Sequence, residues 1–167
     1  PAAGGVGAQL HGAGGNGRIS AAKYNGTQVA VKELYSTMGG RQYEGDRSTS
    51  FAEFSREFEA LRLLRHPHII QLFGASIAPS VDARGLSRHF IVTELAHESL
   101  ADRLARPEPV DKATAERYAL EIASAGAFIH SRQMIHFDLK PQNVLLDIFG
   151  TVKICDLGIS QLIKPST

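Results

Sequence analysis

The first half of the chain contains short stretches in which apolar and polar residues alternate, a pattern typical of strands with one buried face. Residues 18–20 show this alternation, and residues 27–34 form a longer run with several β-branched side chains. Residues 71–78 and 89–94 form two similar runs joined by a polar loop. The pattern predicts four strands, and the last two are expected to belong to a small antiparallel sheet.

A helical pattern lies between these two pairs of runs. Ser50 and Glu53 form a capping box, in which the serine side chain and the glutamate would satisfy the N–H groups at a helix start. Pro67 would end this helix. One apolar stripe recurs at three- and four-residue spacing and must be buried, and it consists of Phe51, Phe54, Phe58 and Leu61.

Two more helices are predicted after the last strand. Ser99 is suited to cap a short helix that runs through Arg106 before two prolines. Asp111 begins a longer helix that ends near His130. One face of the longer helix is apolar, formed by Tyr118, Ile122, Ala125 and Ile129.

Composition places the chain among soluble globular proteins. Its 167 residues fit one domain by length, and 43% of them are hydrophobic. The net charge of +1, without a cluster of Lys or Arg, argues against a nucleic-acid or membrane surface. One cysteine excludes an intramolecular disulfide and favours a reduced, cytoplasmic setting. No apolar run approaches the roughly 18 residues of a membrane span, so no membrane segment is expected.

Polar residues with distinct chemistry are concentrated between two short apolar runs near the end of the chain. Residues 134–147 contain Asp138, Lys140 and Asn143, and Asp156 follows shortly afterwards. A carboxylate can orient a hydroxyl nucleophile, a lysine can neutralise a phosphate, and Asn and Asp oxygens suit Mg²⁺, a hard cation. The set therefore predicts phosphoryl-transfer chemistry. The alternative is that these residues only cap turns, as most Asp and Asn residues in loops do.

Two motifs in this region resemble those of the protein kinase family. His136-Phe137-Asp138, followed by Asn143, is similar to the catalytic loop H-R-D-L-x-x-x-N. Asp156-Leu157-Gly158 is similar to the metal loop D-F-G. The order and spacing of the two motifs make the turn-capping alternative much weaker.

Three features nearer the start support the same resemblance. Val29-Ala30-Val31-Lys32 is similar to the strand motif V-A-I-K. Glu57 occupies the place of the family's helix glutamate, with Glu53 and Glu59 as competitors that are expected to be solvated. The spacing G-x-G-x-x-G of the family's glycine-rich loop is matched by Gly12, Gly14 and Gly17.

The resemblance implies an α+β, protein-kinase-like two-lobe fold. Residues 1–94 would form the N-lobe, a small antiparallel sheet with the glycine-rich loop and one long helix. Residues 95–167 would form the hinge and an incomplete helical C-lobe that ends in the activation segment. Lys140, two residues after Asp138, is typical of the serine/threonine-specific members. Residues 66–70 (His-Pro-His-Ile-Ile) and Gly26-Thr27 favour the tyrosine-kinase-like group.

The resemblance also implies a role for each motif residue, with ATP and a protein substrate as the partners. Asp138 would be the base or hydroxyl-orienting residue, and Lys140 would contact the transferring phosphate. Lys32, paired with Glu57, would hold the α- and β-phosphates. The Mg²⁺ ligands would be Asn143 and Asp156. The remaining nucleotide-binding residues would be Gly12, Gly14, Gly17, Ile19, Ala30, Thr93, Glu94, Ala96 and Leu145.

Three departures from the family pattern lead to further expectations. Phe137 replaces the Arg that in many members binds a phosphorylated residue, so activity is not expected to need that phosphorylation. Leu157 replaces the Phe of the metal loop and keeps an apolar plug there. The chain stops at Thr167, before the family's A-P-E element, so we expect a fragment with little or no activity by itself.

Two other functions stay open at this point. The first is a non-catalytic pseudokinase or nucleotide-binding scaffold, which has no chemical need for all of Lys32, Asp138, Asn143 and Asp156. The second is an unrelated α+β binding domain, for which no nucleotide-dependent thermal shift is expected.

Overall fold

The computed structural model describes residues 10–14, 17–37, 51–81 and 86–162. They form two compact units. The first contains the described residues up to Ser55 together with Leu72–Leu95, and the second contains Arg56–Gln71 and the described residues from Ala96 onward. The chain therefore enters the second unit twice. The division into two lobes after residue 94 stays a prediction.

The first unit is built on a five-stranded sheet with the strand order β1-β2-β3-β5-β4. All neighbouring strands are antiparallel. Asn25 and Gly26 connect β2 to β3 with φ angles of 48° and 85°, the left-handed conformations that a tight hairpin turn requires. The strands are β1 (Leu10–Gly14), β2 (Gly17–Tyr24), β3 (Thr27–Thr37), β4 (Leu72–Val81) and β5 (Leu86–Glu94).

Helix α1 (Phe51–Leu63) follows the predicted apolar stripe with one exception. Phe54 and Leu61 are buried and Phe58 is half-buried, but Phe51 is 53% exposed. The Phe51 ring lies at the edge of an aromatic cluster, 6.0 Å from the Phe54 ring and 5.5 Å from the His89 ring between centroids. Ser50 lies outside the described residues, so its capping role stays a prediction.

The second unit contains two further helices, and their caps agree with the sequence pattern. The Ser99 hydroxyl accepts a hydrogen bond from Asp102 N (3.0 Å), and the Asp102 carboxylate accepts one from Ser99 N (3.1 Å). This capping box begins α2 (Leu100–Leu104), which ends two residues before the predicted Arg106. Asp111 accepts from Thr114 N (3.0 Å) and begins α3 (Lys112–Ser131), whose buried residues are Tyr118, Ala125 and Ile129.

Short strands complete the second unit. A three-stranded sheet has the order β6-β8-β9, and a separate antiparallel pair joins β7 to β10. A parallel bridge joins Ile69 to Ile154, which attaches the segment after α1 to β9. The strands are β6 (Glu98–Ser99), β7 (Met134–Ile135), β8 (Val144–Leu146), β9 (Val152–Ile154) and β10 (Gln161–Leu162).

The expected α+β class, with an antiparallel sheet, one long helix and further helices later in the chain, is confirmed. Strands β4 and β5 are longer than the predicted runs, and Ser36 and Thr37, which were expected to begin a loop, belong to β3. The glycine-rich start was expected to be a loop, but Leu10–Gly14 forms a strand. Among the described helices, none has the combination of length and apolar character that crossing a membrane requires.

Replacing Ile154 by Ala is expected to lower the free energy of unfolding by about 2–5 kcal/mol, because the side chain is 0% exposed and its removal leaves a cavity. The matched control is Ile148→Ala, at a side chain that is 75% exposed, with an expected change within about 0.5 kcal/mol. Urea unfolding of both variants measures the difference. Equal losses at the two positions would show that β9 does not lie in a packed core.

Candidate active site

Asp138 lies at the centre of a compact polar cluster in the second unit. Lys140 Nζ donates to Asp138 Oδ2 at 2.7 Å. Asn143 Nδ2 donates to the same carboxylate oxygen and to the Asp138 carbonyl oxygen, each at 2.9 Å. Three of the four residues predicted to perform or support phosphoryl transfer in this segment are thus in direct contact.

The local backbone explains why these residues meet. A single turn of 3₁₀ helix (Pro141–Asn143) follows Lys140 and is closed by a hydrogen bond from Asn143 N to Lys140 O (2.9 Å). Proline suits the first position of such a turn, because the N–H that it lacks would have no partner within the helix. The turn brings Asn143 back towards Asp138, five residues earlier.

His136 connects this cluster to the loop that contains Asp156. The ring is buried, with 6% exposure. Its Nδ1 accepts from Asp138 N (3.2 Å), so the ring proton lies on Nε2, which donates to Cys155 O (2.9 Å). A second link runs from Cys155 N to Asn143 O (3.0 Å). The sequence predicted a packed histidine here but not this bridge, because nothing in the local pattern indicates a partner 19 residues away.

Electrostatics in the cluster favour the charged forms of both ionisable groups. The hydrogen bond from Lys140 is the main cause that lowers the pKa of Asp138, and the positive charge of Lys140 and the Asn143 amide add to it. Reciprocally, Asp138 raises the pKa of Lys140, mainly through the hydrogen bond. The charge of Asp156 also raises the pKa of Lys140, less than Asp138 does. At neutral pH Asp138 is therefore a carboxylate.

The predicted metal loop (Asp156–Gly158) has a strained backbone, and its apolar residue is buried. Asp156 has a φ of 60°, in the left-handed region that non-glycine residues rarely adopt, and Leu157 after it is 0% exposed. A Cβ atom added to Gly158 would lie 3.5 Å from Glu57 Oε2 and 3.8 Å from Asp156 Oδ1. Glu57, 6% exposed, therefore lies beside this loop. The sequence indicated Lys32 as its partner and did not predict this position next to the metal loop.

The competing glutamate Glu59 is in the solvated environment expected of it. It is 51% exposed and forms an ion pair with Arg62 at 2.7 Å. Glu53, the other competitor, is half-buried in the first turn of α1. Glu57 is therefore the most buried of the three glutamates.

The oxygen donors near Asp138 suit a magnesium ion better than a transition metal. The Asn143 amide nitrogen faces Asp138, which leaves Asn143 Oδ1 on the opposite side of the amide group. The Asp156 carboxylate supplies the second type of oxygen. Among the described residues, no group of three His, Cys, Asp or Glu side chains could hold a metal. An amide oxygen and a carboxylate oxygen fit Mg²⁺, which commonly takes one or two protein ligands and completes its shell with waters and phosphates.

In the first unit, four predicted nucleotide-binding residues share one face of the sheet. Ile19 on β2 is paired with Lys32 on β3, and Ala30 on β3 is paired with Thr93 on β5. Paired residues lie on the same face, and Ala30 and Lys32 are two positions apart, so all four point to one side. Leu34, two residues beyond Lys32 on this face, is 1% exposed, whereas Lys32 and Ala30 are half-buried.

The predicted glycine-rich loop is a hairpin in the described residues. Gly12 and Gly14 belong to β1, Gly17 begins β2, and Gly14 pairs with Gly17. Residues 15–16 lie outside the described part of the chain. The backbone of this hairpin carries no side chain at the three glycines, which is the property that close approach to a phosphate requires.

The predicted hinge residues are divided between the two units. Glu94 ends β5, and its carbonyl oxygen accepts from the Thr93 hydroxyl (3.1 Å). Ala96 belongs to the second unit, next to His97, whose N–H donates to Leu146 O (2.8 Å). Leu145 is paired with Ser99 and Lys153 in the β6-β8-β9 sheet. That all these residues meet around one nucleotide stays a prediction.

Replacing Lys140 by Met is expected to move the acidic limb of the pH–rate profile to higher pH. Asp138 must be deprotonated to accept a proton, and Lys140 is the main cause that lowers its pKa. The matched control is Lys112→Met, at a side chain that is 91% exposed and pairs with Glu116 at 3.7 Å. Measuring kcat against pH for both variants checks this. An unshifted limb in the Lys140 variant, with reduced activity at every pH, would contradict the coupling.

Several known proteins are similar in sequence to this chain. U-box domain-containing protein 51 of Arabidopsis thaliana is 36% identical over 166 residues, which cover 92% of this chain and 19% of that protein. Sucrose non-fermenting protein kinase 1 of Fusarium virguliforme is 34% identical over 154 residues, 90% of this chain and 20% of its own length. Serine/threonine-protein kinase 12 of Arabidopsis thaliana is 35% identical over 151 residues, 88% of this chain and 30% of its own length.

The chain thus spans less than a third of the length of each of these relatives. The family model of the protein kinase domain matches residues 7–167. This match includes the Asp138 cluster, the metal loop and the β3 lysine in one continuous alignment. The chain therefore belongs to the protein kinase family.

Proposed function

We propose that the protein containing this chain is a serine/threonine protein kinase, which transfers the γ-phosphoryl group of ATP to a hydroxyl of a protein substrate. The observation that carries this proposal is the Asp138 cluster. One carboxylate accepts hydrogen bonds from Lys140 and Asn143, and the charge of Asp156 acts on the same lysine. Two loops joined by the His136 bridge thereby supply a proton acceptor, a cation and two kinds of oxygen ligand, as phosphoryl transfer requires.

Asp138 is the residue that handles the substrate hydroxyl in this proposal. Its side chain is 34% exposed, so a hydroxyl can approach it. As the hydroxyl oxygen forms its bond to the γ-phosphorus, the bond between that phosphorus and the ADP oxygen breaks, and Asp138 takes the hydroxyl proton. The lowered pKa of Asp138 keeps it ionised and ready for this step at neutral pH.

The cationic and metal-binding residues stabilise the phosphates. Lys140 Nζ, with three donors, can hold Asp138 Oδ2 and a phosphoryl oxygen together. Asn143 and Asp156 would hold Mg²⁺, which when bound neutralises phosphate charge. Lys32, paired with Glu57, would hold the α- and β-phosphates, and the shared face of Ile19, Ala30, Lys32 and Thr93 supports a nucleotide on that side of the sheet.

The type of substrate, the kinase group and the cellular location belong to the same proposal. Lys140 two residues after Asp138 supports serine/threonine specificity, as do the names of relatives that are serine/threonine-protein kinases. Residues 66–70 support the tyrosine-kinase-like group. We also propose an intracellular location, which is supported by the use of ATP and by the presence of a single cysteine.

The test is a transfer assay on the full-length protein with Mg²⁺, labelled ATP and three peptides that differ only in Ser, Thr or Tyr at the acceptor position. The expected result is label on the Ser and Thr peptides and none on the Tyr peptide. Nucleotide binding by thermal shift, without transfer to any peptide, would instead support a pseudokinase. No thermal shift with Mg²⁺ and ATP would contradict both functions.

A further inference from the structure

His66 lies in the segment between α1 and β4 and contacts α3 through its ring face and one ring nitrogen. The ring stacks on the Phe128 ring, with centroids 5.0 Å apart and an angle of 25° between the planes. Its Nε2 lies 3.4 Å from the Ser124 hydroxyl oxygen. Its Nδ1 accepts a hydrogen bond from His68 N (3.2 Å). An acceptor nitrogen carries no proton, so His66 is neutral in this arrangement, with its proton on Nε2.

His68, two residues later, contacts both α3 and β9. Its Nδ1 lies 3.3 Å from Val152 O and 3.8 Å from Glu121 Oε2. Because this nitrogen faces two oxygens, it is a donor in the neutral and in the protonated ring. Protonation of His68 therefore keeps its contacts, whereas protonation of His66 at Nδ1 removes the acceptor that His68 N uses.

The segment that contains the two histidines is bonded to β9 through its backbone. His68 O accepts from Ile154 N, and Ile70 N donates to Ile154 O, each at 2.9 Å. A proton on His66 Nδ1 would place one N–H group against another, and two donors form no hydrogen bond. Either the turn at residues 66–68 opens or the His66 ring leaves its place on α3.

The surroundings of His66 favour its neutral form. Burial is the main cause that lowers the pKa of His66, and a positive charge on His68 lowers it further. The packed elements supply one carboxylate, which is already paired with an arginine, and two further cations. These groups are Glu121 with Arg117 (3.0 Å) and Arg132, which lies over the Phe128 ring, on α3, and Lys153 on β9. The neutral arrangement is therefore complete above the ordinary histidine pKa of about 6.5 and is lost as the pH falls through the lowered pKa of His66.

We propose that His66 is a pH-sensitive switch: the neutral ring holds residues 66–70 on α3 and β9, and a proton on Nδ1 breaks the bond from His68 N and loosens this attachment. The segment directly follows α1, the helix in which Glu57 lies beside Gly158. Protonation of His66 therefore loosens the end of that helix. The consequence for catalysis rests on the proposed kinase function, in which Glu57 takes part.

The first readout is amide hydrogen exchange at single residues of the full-length protein. It is measured at about pH 7.5 and about pH 5.5, on either side of the ordinary histidine pKa, and corrected for the intrinsic exchange rates. The Ile70 and Ile154 amides are expected to lose about fivefold in protection at the lower pH. The Cys155 amide, which donates to Asn143 O (3.0 Å), is expected to keep its protection. An equal loss at all three amides would indicate general unfolding and would overturn the proposal.

Two substitutions separate the acceptor nitrogen of His66 from its ring. His66→Asn keeps an acceptor oxygen near the position of Nδ1 that takes up no proton in this pH range, so the protection of Ile70 and Ile154 is expected to be independent of pH. His66→Phe keeps a stacked ring but has no acceptor, so low protection is expected at both pH values. His97→Asn, at an exposed histidine, is the control and is expected to keep the pH dependence of the wild-type protein.

Replacing His68 by Asn tests which histidine is titrated. The pH dependence is expected to remain, and its midpoint is expected to move to higher pH, because the charge that lowers the pKa of His66 has been removed. Loss of the pH dependence in this variant would assign the titration to His68 and overturn the proposal. Wild-type protection that does not depend on pH, or a pH dependence that persists in His66→Asn, would overturn it as well.

The second readout is the ratio of kcat at the lower pH to kcat at the higher pH. This ratio is expected to be about threefold larger in His66→Asn than in the wild-type protein, because the variant keeps residues 66–70 attached. Equal ratios would overturn the link between the switch and catalysis. If the wild-type protein transfers no phosphoryl group but the exchange data are as expected, the His66 switch stands and the proposed kinase function fails.

Discussion

Replacing Asp138 by Asn is expected to lower kcat for phosphoryl transfer by about 10²- to 10⁴-fold, the usual contribution of a positioned general acid–base residue. The amide cannot take the hydroxyl proton. In addition, the amide carries no negative charge, so its oxygen is a weaker acceptor for Lys140 Nζ and Asn143 Nδ2 than the carboxylate is. The effect is expected in kcat, while the affinity for nucleotide stays close to that of the wild-type protein. The measurement is steady-state kinetics together with nucleotide binding.

The matched control for this variant is Asp111→Asn. Asp111 caps α3 by accepting from Thr114 N at 3.0 Å, and Asn is an equally good cap, so neither stability nor kcat is expected to change. Undiminished transfer by the Asp138 variant would remove that residue from the reaction. Loss of nucleotide binding together with activity would indicate a general disturbance of the loop.

Replacing Asp156 by Asn is expected to lower kcat by about 10²- to 10³-fold and to raise the Mg²⁺ concentration needed for half-maximal activity. The substitution removes a negative charge from the proposed metal site. It adds no further backbone strain, because Asn tolerates the left-handed conformation that Asp156 adopts at φ 60°. A magnesium titration of activity in each protein measures the shift.

Asp147→Asn is the control for the metal-site variant. Asp147 Oδ1 accepts from Phe149 N and Thr151 N, each at 2.9 Å, and an Asn oxygen can keep both bonds. Its magnesium dependence is therefore expected to match that of the wild-type protein. A parallel change in both variants would mean that the shift reflects overall charge and not a ligand at Asp156.

Helix positions were predictable because their signals are local. Asp111 and Ser99 carry side chains that bond N–H groups three residues later. Of the predicted apolar face of α3, Tyr118, Ala125 and Ile129 are buried and Ile122 is half-buried. The exposure of Phe51 was not predictable, because burial of the first turn of α1 depends on how far the neighbouring sheet extends. The spacing of apolar residues defines one face of a helix, but it does not show which residues of that face are buried by the rest of the structure.

Strand boundaries and short strands depended on distant partners. Strand β1 is glycine-rich and has no alternating pattern, and it forms through hydrogen bonds to β2. The two-residue strands β7 and β10 are too short for any periodic signal, yet they pair with each other although they lie far apart in the sequence. The pairing of residues separated in sequence supplies information that local propensity lacks.

The candidate site was predictable in its residue types and only partly in its geometry. Motif order identified Asp138, Lys140 and Asn143, which are in contact. The His136 bridge and the left-handed conformations of Phe137 and Asp156 were not indicated by any local pattern. The bridge and these backbone conformations depend on hydrogen bonds between two loops. Such bonds form only when the second unit folds.

The central claim is that Lys140, whose Nζ donates to Asp138 Oδ2, binds a phosphate of ATP. An ATP analogue with a reactive acyl group on its γ-phosphate transfers that group to amines beside the bound phosphates, and mass spectrometry then identifies the modified lysines. The account predicts modification of Lys140 with protection by excess ATP, while the 91% exposed Lys112 is modified without protection. No modification of Lys140, or modification without protection by ATP, would contradict it.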